Sequence, residues 1–497
     1  MEKVYCCSPA KEQYIRMCGK YNLIPVHREI VADLETPVSV YDKVFKGSCS
    51  CLLESVEGSI RLSRYSFIAG EPFLTLKASG EEVELLSEGK KEVRKQKFSS
   101  VLREIINSYR MPENIDLPRF FGGAVGFAGY DAVRLFESLP DPPPDDLELP
   151  DACYIFPEVV LVFDHYRSRL KIIVNSRPGD DPETSYHDAL EKVDQIEVSI
   201  KNNSNYALKR VNSHETILDD LPIRSNIGRN EFVDKVEAIK QYIYAGDILQ
   251  AVLSQRFAVE TGADPFEVYR TLRTLNPSPY MYYLDFSDFQ IAGASPEMLT
   301  RVENGTVITR PIAGTRPRGE TPEEDLRYER QLVGDAKERA EHVMLVDLGR
   351  NDLGRVSEFG SIELPVFMEC ERYSHVMHLE SEIRGRLAGN KDIFDAFEAC
   401  FPAGTVSGAP KVRAMEIINE LEPTKRGPYA GAVGYFSFDG NMDTCITIRT
   451  VVFRNGKAYA QAGAGIVADS KPDAEYEETI SKARVMLKAL KLAGEEL

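Results

Sequence analysis

The sequence predicts an α+β fold, and three observations carry that reading. Short β-like runs separated by turn signals fill the first third of the chain. Helical patterns with recognisable caps run through the second half. A glycine-rich strand pattern, Gly123-Ala-Val-Gly-Phe-Ala-Gly-Tyr-Asp131, returns as Gly431-Ala-Val-Gly-Tyr-Phe-Ser-Phe-Asp439. That echo fits either coincidence among Gly/Ala/Val strands or two sheets of related construction facing each other. In both cases the small residues let another backbone approach closely.

Taken in order, residues 1–175 form a first unit. Its β-like runs are Val38–Tyr41, Cys51–Leu53, Phe67–Ala69, Phe73–Leu76 and Tyr154–Phe163, with one helical stretch near 99–109. The loop Leu139-Pro-Asp-Pro-Pro-Pro-Asp-Asp146 cannot lie inside an element, because proline lacks the backbone donor that helices and ladders need. Residues 176–226 are polar, hold one possible helix, and read as a link. Residues 227–497 form the larger unit. Phe232, Val233, Val236, Ile239 and Ile243 recur at helical spacing, with Gly246 as the cap. Thr321-Pro322-Glu323-Glu324 opens a second helix, Gly334 interrupts it, and Asp335 with Glu338 starts another to about Leu348. Strand-like runs follow at Ser361–Met368, Ala432–Phe438, Cys445–Phe453 and Ala458–Gln461. Ser470 and Pro472 then open a closing helix to about Leu492.

Composition narrows the function. The 497 residues carry 78 acidic against 60 basic side chains, a net charge of −18. A nucleic-acid face needs positive potential, so no nucleic-acid partner is expected. An anionic small substrate would need a local cluster of cations or a metal ion. Nine cysteines without a C-x-x-C pair argue against a disulfide framework or a structural zinc site and fit a reducing cytosol. The N-terminus lacks a signal-peptide core, and the longest clear apolar run, Val159 to Phe163, is strand-sized. A soluble, cytoplasmic protein with no membrane partner is therefore expected.

Two pairs of carboxylates stand out. Glu338 and Glu341 are spaced i, i+3 on one helix, as are Glu475 and Glu478 on the closing helix, with Lys482 four residues further. Four converging carboxylates would need a cation between them, and hard oxygen ligands suit Mg²⁺. Taken singly, each pair reads more readily as a helix cap or a solvated surface pair. Ala462-Gly-Ala-Gly-Ile466 could present backbone N–H groups to a carboxylate or be a plain strand end. Gly404-Thr-Val-Ser-Gly-Ala-Pro-Lys411 fails the phosphate-loop pattern, because Ala and Pro separate Gly408 from Lys411. His375 and His378 lie in one apolar segment, where core packing is the plainer role. Spacing alone points to a metal-dependent enzyme for a small anion.

Longer stretches add a resemblance. GDILQAVLSQRF, NPSPYMYY, AGASPEML, PIAGTRPRG, AEHVMLVDLGRNDLGRV, FPAGTVSGAPKVRAM, GPYAGAVGYFSFDG, QAGAGIVADS and EYEETISKA, spread over about residues 229–490, resemble the chorismate-utilising enzymes. Within that family they look most like the large subunits that make anthranilate, and LLES at 52–55 with RYSFIAG at 64–70 extends the likeness to the first unit. The resemblance implies two facing, mainly antiparallel sheets flanked by helices, with a regulatory part in 1–175 and a chorismate-binding part in 227–497. Glu341 and Glu478, seconded by Glu338 and Glu475, match Mg²⁺ ligands. Gly314, Thr315, Tyr429, Arg449, Gly463, Ala464, Gly465 and Lys482 match positions that hold chorismate, and Thr405 looks like a further contact. His378 matches the histidine of the later elimination, and Glu297 the acid that protonates the departing hydroxyl.

Two positions separate this chain from its likenesses. Gln250 stands where isochorismate- and salicylate-forming relatives carry a lysine base. A glutamine cannot deprotonate water, so ammonia is the nucleophile the resemblance implies. Ala313 stands where aminodeoxychorismate synthases commonly carry lysine. Glu54, Ser55, Pro279, Tyr280, Met281, Val433, Gly434 and Tyr435 look like a feedback site for L-tryptophan. With no cysteine nucleophile in a G-x-C-x-G setting, the chain would take ammonia from a separate glutamine amidotransferase subunit. The alternatives are an aminodeoxychorismate synthase component or a catalytically idle tryptophan-sensing subunit.

Overall fold

The computed structural model describes residues 7–56, 64–113, 116–202, 221–373 and 376–494. His375 and Cys6 lie outside them. Their 22 strands join by antiparallel ladders into one continuous hydrogen-bonded sheet that doubles back on itself. Two long strands, Tyr65–Ser79 and Ala152–Asp164, make the turn. They pair along their whole length, except at an irregularity after Pro72, which lies opposite Pro157. Neither proline can donate to a ladder, so the bend falls where hydrogen bonding is already interrupted.

On one side of the bend the order runs through Ile24–Val31, Arg169–Ser176, the two long strands, Ser50–Glu54, Tyr280–Asp285, Gln290–Ser295, Thr450–Arg454, Lys457–Ile466 and Gln250–Glu260. On the other it runs through Gly123–Ala128, Ala432–Ser437, Met442–Ile446, Met298–Glu303, Thr306–Thr309, Val376–Arg386 and Glu363–Arg372. The two halves face each other. Phe67 of the first meets Tyr435 of the second with ring centroids 5.7 Å apart, and Phe127 meets Phe286 at 5.8 Å. On its outer face the first half packs Leu52, Ile68, Met281, Tyr283 and Val451 in one core with the helices Pro37–Val44, Pro182–Lys201, Pro265–Leu275 and Pro472–Gly494. The second half packs Phe436 on Phe394 of helix Ile393–Cys400. The α+β expectation of two facing, mainly antiparallel sheets flanked by helices therefore holds, with the sheets continuous through the bend.

The echoed motifs are neighbours in one ladder, with Gly126 directly opposite Gly434. A Cβ on Gly126 would lie 2.0 Å from the Cys153 carbonyl oxygen, and one on Gly434 2.1 Å from that of Asp443. Glycine is required there by close backbone approach.

Local signals fare unevenly. Gly246 caps Arg229–Ala245 at φ +84°, and the Thr321 hydroxyl accepts from Glu324 N–H with Pro322 at the first helical position. Asp335 caps Ala336–Gly354, accepting from the N–H groups of Lys337 and Glu338, and that helix runs six residues past Leu348. Val38–Tyr41 is helical, contrary to the strand expectation. Thr36 and Ser39 form a reciprocal capping box with Pro37 at the first turn, which outweighs the β-branched composition. The single run expected at Cys445–Phe453 is two strands, broken at Arg449, whose φ is +52°. The helix Pro182–Lys201 buries Tyr186, Ala189, Val193, Ile196 and Ile200 in the core on the outer face of the first half, so this part of the polar 176–226 segment also contributes packing.

Candidate functional site

A cavity of about 250 Å³ lies where the strands Gln250–Glu260 and Lys457–Ile466 meet the strand Ile312–Pro317, the helices Ala336–Gly354 and Pro472–Gly494, and the short turn Gly404–Val406. It is lined by Gln250, Glu297, Gly314, Thr315, Glu341, His378, Thr405, Tyr429, Arg449, Gly463, Gly465 and Lys482, among others. Positions more than 230 residues apart in sequence thus share one small volume.

Glu297 follows Ser295 and Pro296 at a strand end and is buried. Burial pushes its carboxyl up to about 8, against the opposing pull of the Thr405 hydroxyl, which donates to Oε1 at 2.9 Å, and of nearby Lys482. At neutral pH it is therefore mostly protonated and can donate. His378 is set the other way. Its Nδ1 lies 2.8 Å from the Gly314 carbonyl oxygen, which can only accept, so Nδ1 carries the proton and Nε2 keeps its lone pair. Burial lowers the imidazole's pKa and keeps it neutral. One cavity so holds a neutral acid and a neutral base.

Arg449 sits in the left-handed region, an unusual conformation for arginine, directly before the strand Thr450–Arg454, and lines the cavity. Its Nη1 donates to the Lys482 carbonyl at 3.0 Å, and among the described residues no carboxylate lies within 4.0 Å of its guanidinium. Burial lowers its pKa, so a carboxylate ligand would meet a partly desolvated cation. Lys482 Nζ donates to the Gly463 carbonyl at 3.0 Å and pairs with Glu478 at 2.7 Å. Gly463 and Gly465 leave no room for side chains. A Cβ would stand 2.7 Å from the Tyr429 hydroxyl at the first and 2.6 Å from Gln250 Nε2 at the second. Ala464 alternates to the opposite face, its methyl packed with Leu253 and Ile417, so only its backbone could serve a ligand.

Of the four glutamates, Glu341 lines the cavity, and Glu338, Glu478 and Glu475 are coupled to it or to one another through their charges. Burial first, then the charges of Glu338 and Glu478, raise the pKa of Glu341. Burial and Glu478 raise that of Glu475, which accepts from Ser470. Glu338 is held by Arg316 at 3.2 Å and Glu478 by Lys482, so protein cations neutralise two of the four. Among the described residues no three His, Cys, Asp or Glu side chains stand together as a ready metal cage. The all-oxygen donor set and mutual repulsion fit a hard divalent cation once those side chains turn.

A second cavity, about 50 Å³, is lined by all eight residues of the expected inhibitor site, together with Arg119, Arg301, Asp443 and Cys445. Glu54 is buried, accepts from the Tyr269 hydroxyl, and pairs with Arg273 through bonds of 3.0 and 3.1 Å. Arg301 reaches Asp443 at 2.7 Å and Tyr280 at 3.2 Å.

Sequence reasoning missed Gln461, which lines the main cavity beside Gly463 and Gly465. The period-two alternation of its strand was the available signal. Lys411, in the rejected phosphate-loop candidate, pairs with Asp352 at 2.9 Å.

A doubled-back antiparallel sheet with this cavity between its halves defines a class, and comparison with known proteins bears it out. The chain belongs to the chorismate binding enzyme family, whose model matches residues 56–488. Among individual proteins, it is 49% identical to anthranilate synthase component 1 of Acetivibrio thermocellus, over 98% of this chain and 99% of the relative. It is 45% identical to the component of the same name from Aquifex aeolicus, over 97% and 98%. The crystal structure of anthranilate synthase component I from Streptococcus pneumoniae matches with a TM-score of 0.78 at 39% identity, covering 92% of this chain and 99% of that one. No helix among the described residues is long and apolar enough to cross a membrane.

Proposed function

We propose that this chain is the chorismate-converting subunit of an anthranilate synthase. It would turn chorismate and ammonia into anthranilate and pyruvate through 2-amino-2-deoxyisochorismate, as a cytoplasmic lyase in tryptophan biosynthesis. The observation that carries the reading is the pairing of protonated Glu297 and neutral His378 in one cavity with Arg449 and Lys482.

Glu297 gives its proton to the departing C4 hydroxyl, which leaves as water while ammonia bonds at C2. His378 Nε2 then takes the C2 proton as pyruvate leaves and the ring becomes aromatic. Arg449 forks onto one substrate carboxylate, and the glycines let the ligand lie against backbone. Glu338, Glu341, Glu475 and Glu478 would hold Mg²⁺, which supplies charge neutralisation at the second carboxylate when bound. Gln250, neutral where a base would activate water, favours ammonia. Ala313, in place of a lysine nucleophile, weighs against the aminodeoxychorismate alternative.

Residues 1–175 would carry the regulatory role and 227–497 the catalytic one. The 50 Å³ cavity would take free L-tryptophan, with buried Glu54 meeting its amino group. Tryptophan bound there would be linked reciprocally to chorismate binding. Ammonia would come from a glutamine amidotransferase partner.

The test is a fluorescence assay for anthranilate with the purified chain, with and without Mg²⁺, ammonia and tryptophan; having no tryptophan, the protein adds no indole background. Formation of anthranilate that needs Mg²⁺ and ammonia supports the reading. Absence of product would leave the idle, tryptophan-sensing alternative.

A further inference from the structure

Two cavities meet at Arg119. It lines the 50 Å³ cavity read above as the inhibitor site and also a cleft of about 1500 Å³ beside it; Tyr65 and Arg301 line both as well. The next residue in the chain fixes where Arg119 stands. Phe120 is fully buried, stacked on Tyr435 with ring centroids 4.5 Å apart and set edge-on to Phe67 at 5.6 Å. Both of those rings wall the small cavity. The charge of Arg119 acts on Tyr65, Tyr280 and Tyr435, which line it too.

A tally of charge singles this arginine out. Among the described residues, the charged side chains lining the small cavity are Glu54, Arg119, Arg301 and Asp443. Glu54 is matched by Arg273 at 3.0 Å. Arg301 reaches one Asp443 oxygen at 2.7 Å, and the other accepts from the Tyr280 hydroxyl at 3.1 Å. Arg119 stands 3.7 Å from the oxygen that Arg301 already holds, beyond hydrogen-bond distance. Its side chain keeps 15% exposure, and only Nε is a buried nitrogen without a partner, so the terminal nitrogens remain open to a ligand. Taking a cation partly out of water without a counter-charge is unfavourable, and a bound anion offsets that cost. The planar fork of a guanidinium matches a carboxylate through two parallel N–H bonds.

We propose that Arg119 anchors the inhibitor by its α-carboxylate, at the boundary between the two cavities, with the aromatic side chain of the inhibitor lying toward Phe67 and Tyr435. The inference rests on the regulatory reading above and adds a selection rule to it. The amino acid must bring a free carboxylate, because Arg301 is already committed to Asp443 and Arg119 is the remaining cation on the cavity wall among the described residues.

The test is equilibrium dialysis of the full chain against L-tryptophan and against L-tryptophanamide, at a pH where both amino groups are protonated. The chain holds no tryptophan, so indole fluorescence counts the ligand directly. The amide keeps the ring and the amino group and lacks the charge. The wild type should bind tryptophan about 30-fold more tightly than the amide, the worth of hydrogen bonds to a charged group. In Arg119→Met, affinity for tryptophan should drop to that of the amide, while affinity for the amide stays at the wild-type value. Equal binding of the two ligands by the wild type would overturn the assignment. So would a preference for tryptophan that survives in Arg119→Met, including by parallel loss of both. Should Arg119→Met not fold, Arg119→Gln puts the same question with a polar side chain, and an unchanged preference there overturns the assignment equally. A wild-type chain that binds neither ligand would sink the regulatory reading, and this inference with it.

Discussion

Replacing Glu297 with glutamine should make the protein more stable at alkaline pH while removing its activity. The side chain keeps its shape, but the group no longer ionises. In the wild type, burial holds the carboxyl near 8 against 4.5 for an exposed one. A group whose folded pKa is raised keeps its full stability below the unfolded value and loses it as pH rises toward the folded value. The loss accrues at about 1.4 kcal/mol per pH unit between those limits, with a ceiling of about 5 kcal/mol. Between pH 5 and pH 8 the stability of Glu297→Gln relative to wild type should therefore climb by about 3–4 kcal/mol. Urea midpoints measured for both proteins across that range give the difference. Wild-type kcat/KM for chorismate, corrected for free ammonia, should meanwhile fall about tenfold per unit above pH 8 as the acid is lost. A stability difference that does not change with pH would refute the argument, because Glu297 would then not be held neutral by burial.

Three further outcomes follow from the geometry. Glu341→Gln or Glu478→Gln should abolish Mg²⁺-dependent turnover with an unchanged circular dichroism spectrum, and wild-type activity in either would remove these residues from the metal site. Ser55→Phe should relieve inhibition by tryptophan at nearly unchanged chorismate turnover; unaltered inhibition curves would take Ser55 out of the regulatory pocket. Gly465→Ala sets a methyl 2.6 Å from Gln250 Nε2, so the amide must move. The KM for ammonia should rise about tenfold, the equivalent of one lost hydrogen bond, and a wild-type value would show that Gln250 does not orient the nucleophile.

Much of the architecture was legible where signals are local. The caps at Thr321, Asp335 and Gly246 and the glycines of the echoed strands are set by hydrogen bonds or contacts that neighbouring residues reveal. The strand Gln250–Glu260 was not legible, because eight of its first residues in a row are buried and no polar alternation remains. Val38–Tyr41 misled because a capping box overrode composition. In the site, the glutamate pairs showed in their spacing, whereas the roles of Glu297, Arg449 and His378 needed a family likeness. Gln461 escaped both routes, since its orientation is dictated by Ser254, Glu422 and Arg426, which the fold alone brings to it.

The ladders that join Ser50–Glu54 to Tyr280–Asp285 and Gly123–Ala128 to Ala432–Ser437 bear on how the chain can be handled. Expressing residues 227–497 alone would strip hydrogen-bond partners from two interior strands and create raw edges open to pairing with other molecules. Such a fragment should aggregate, and tryptophan-insensitive versions of the protein are better sought by single substitutions than by trimming the amino-terminal part away.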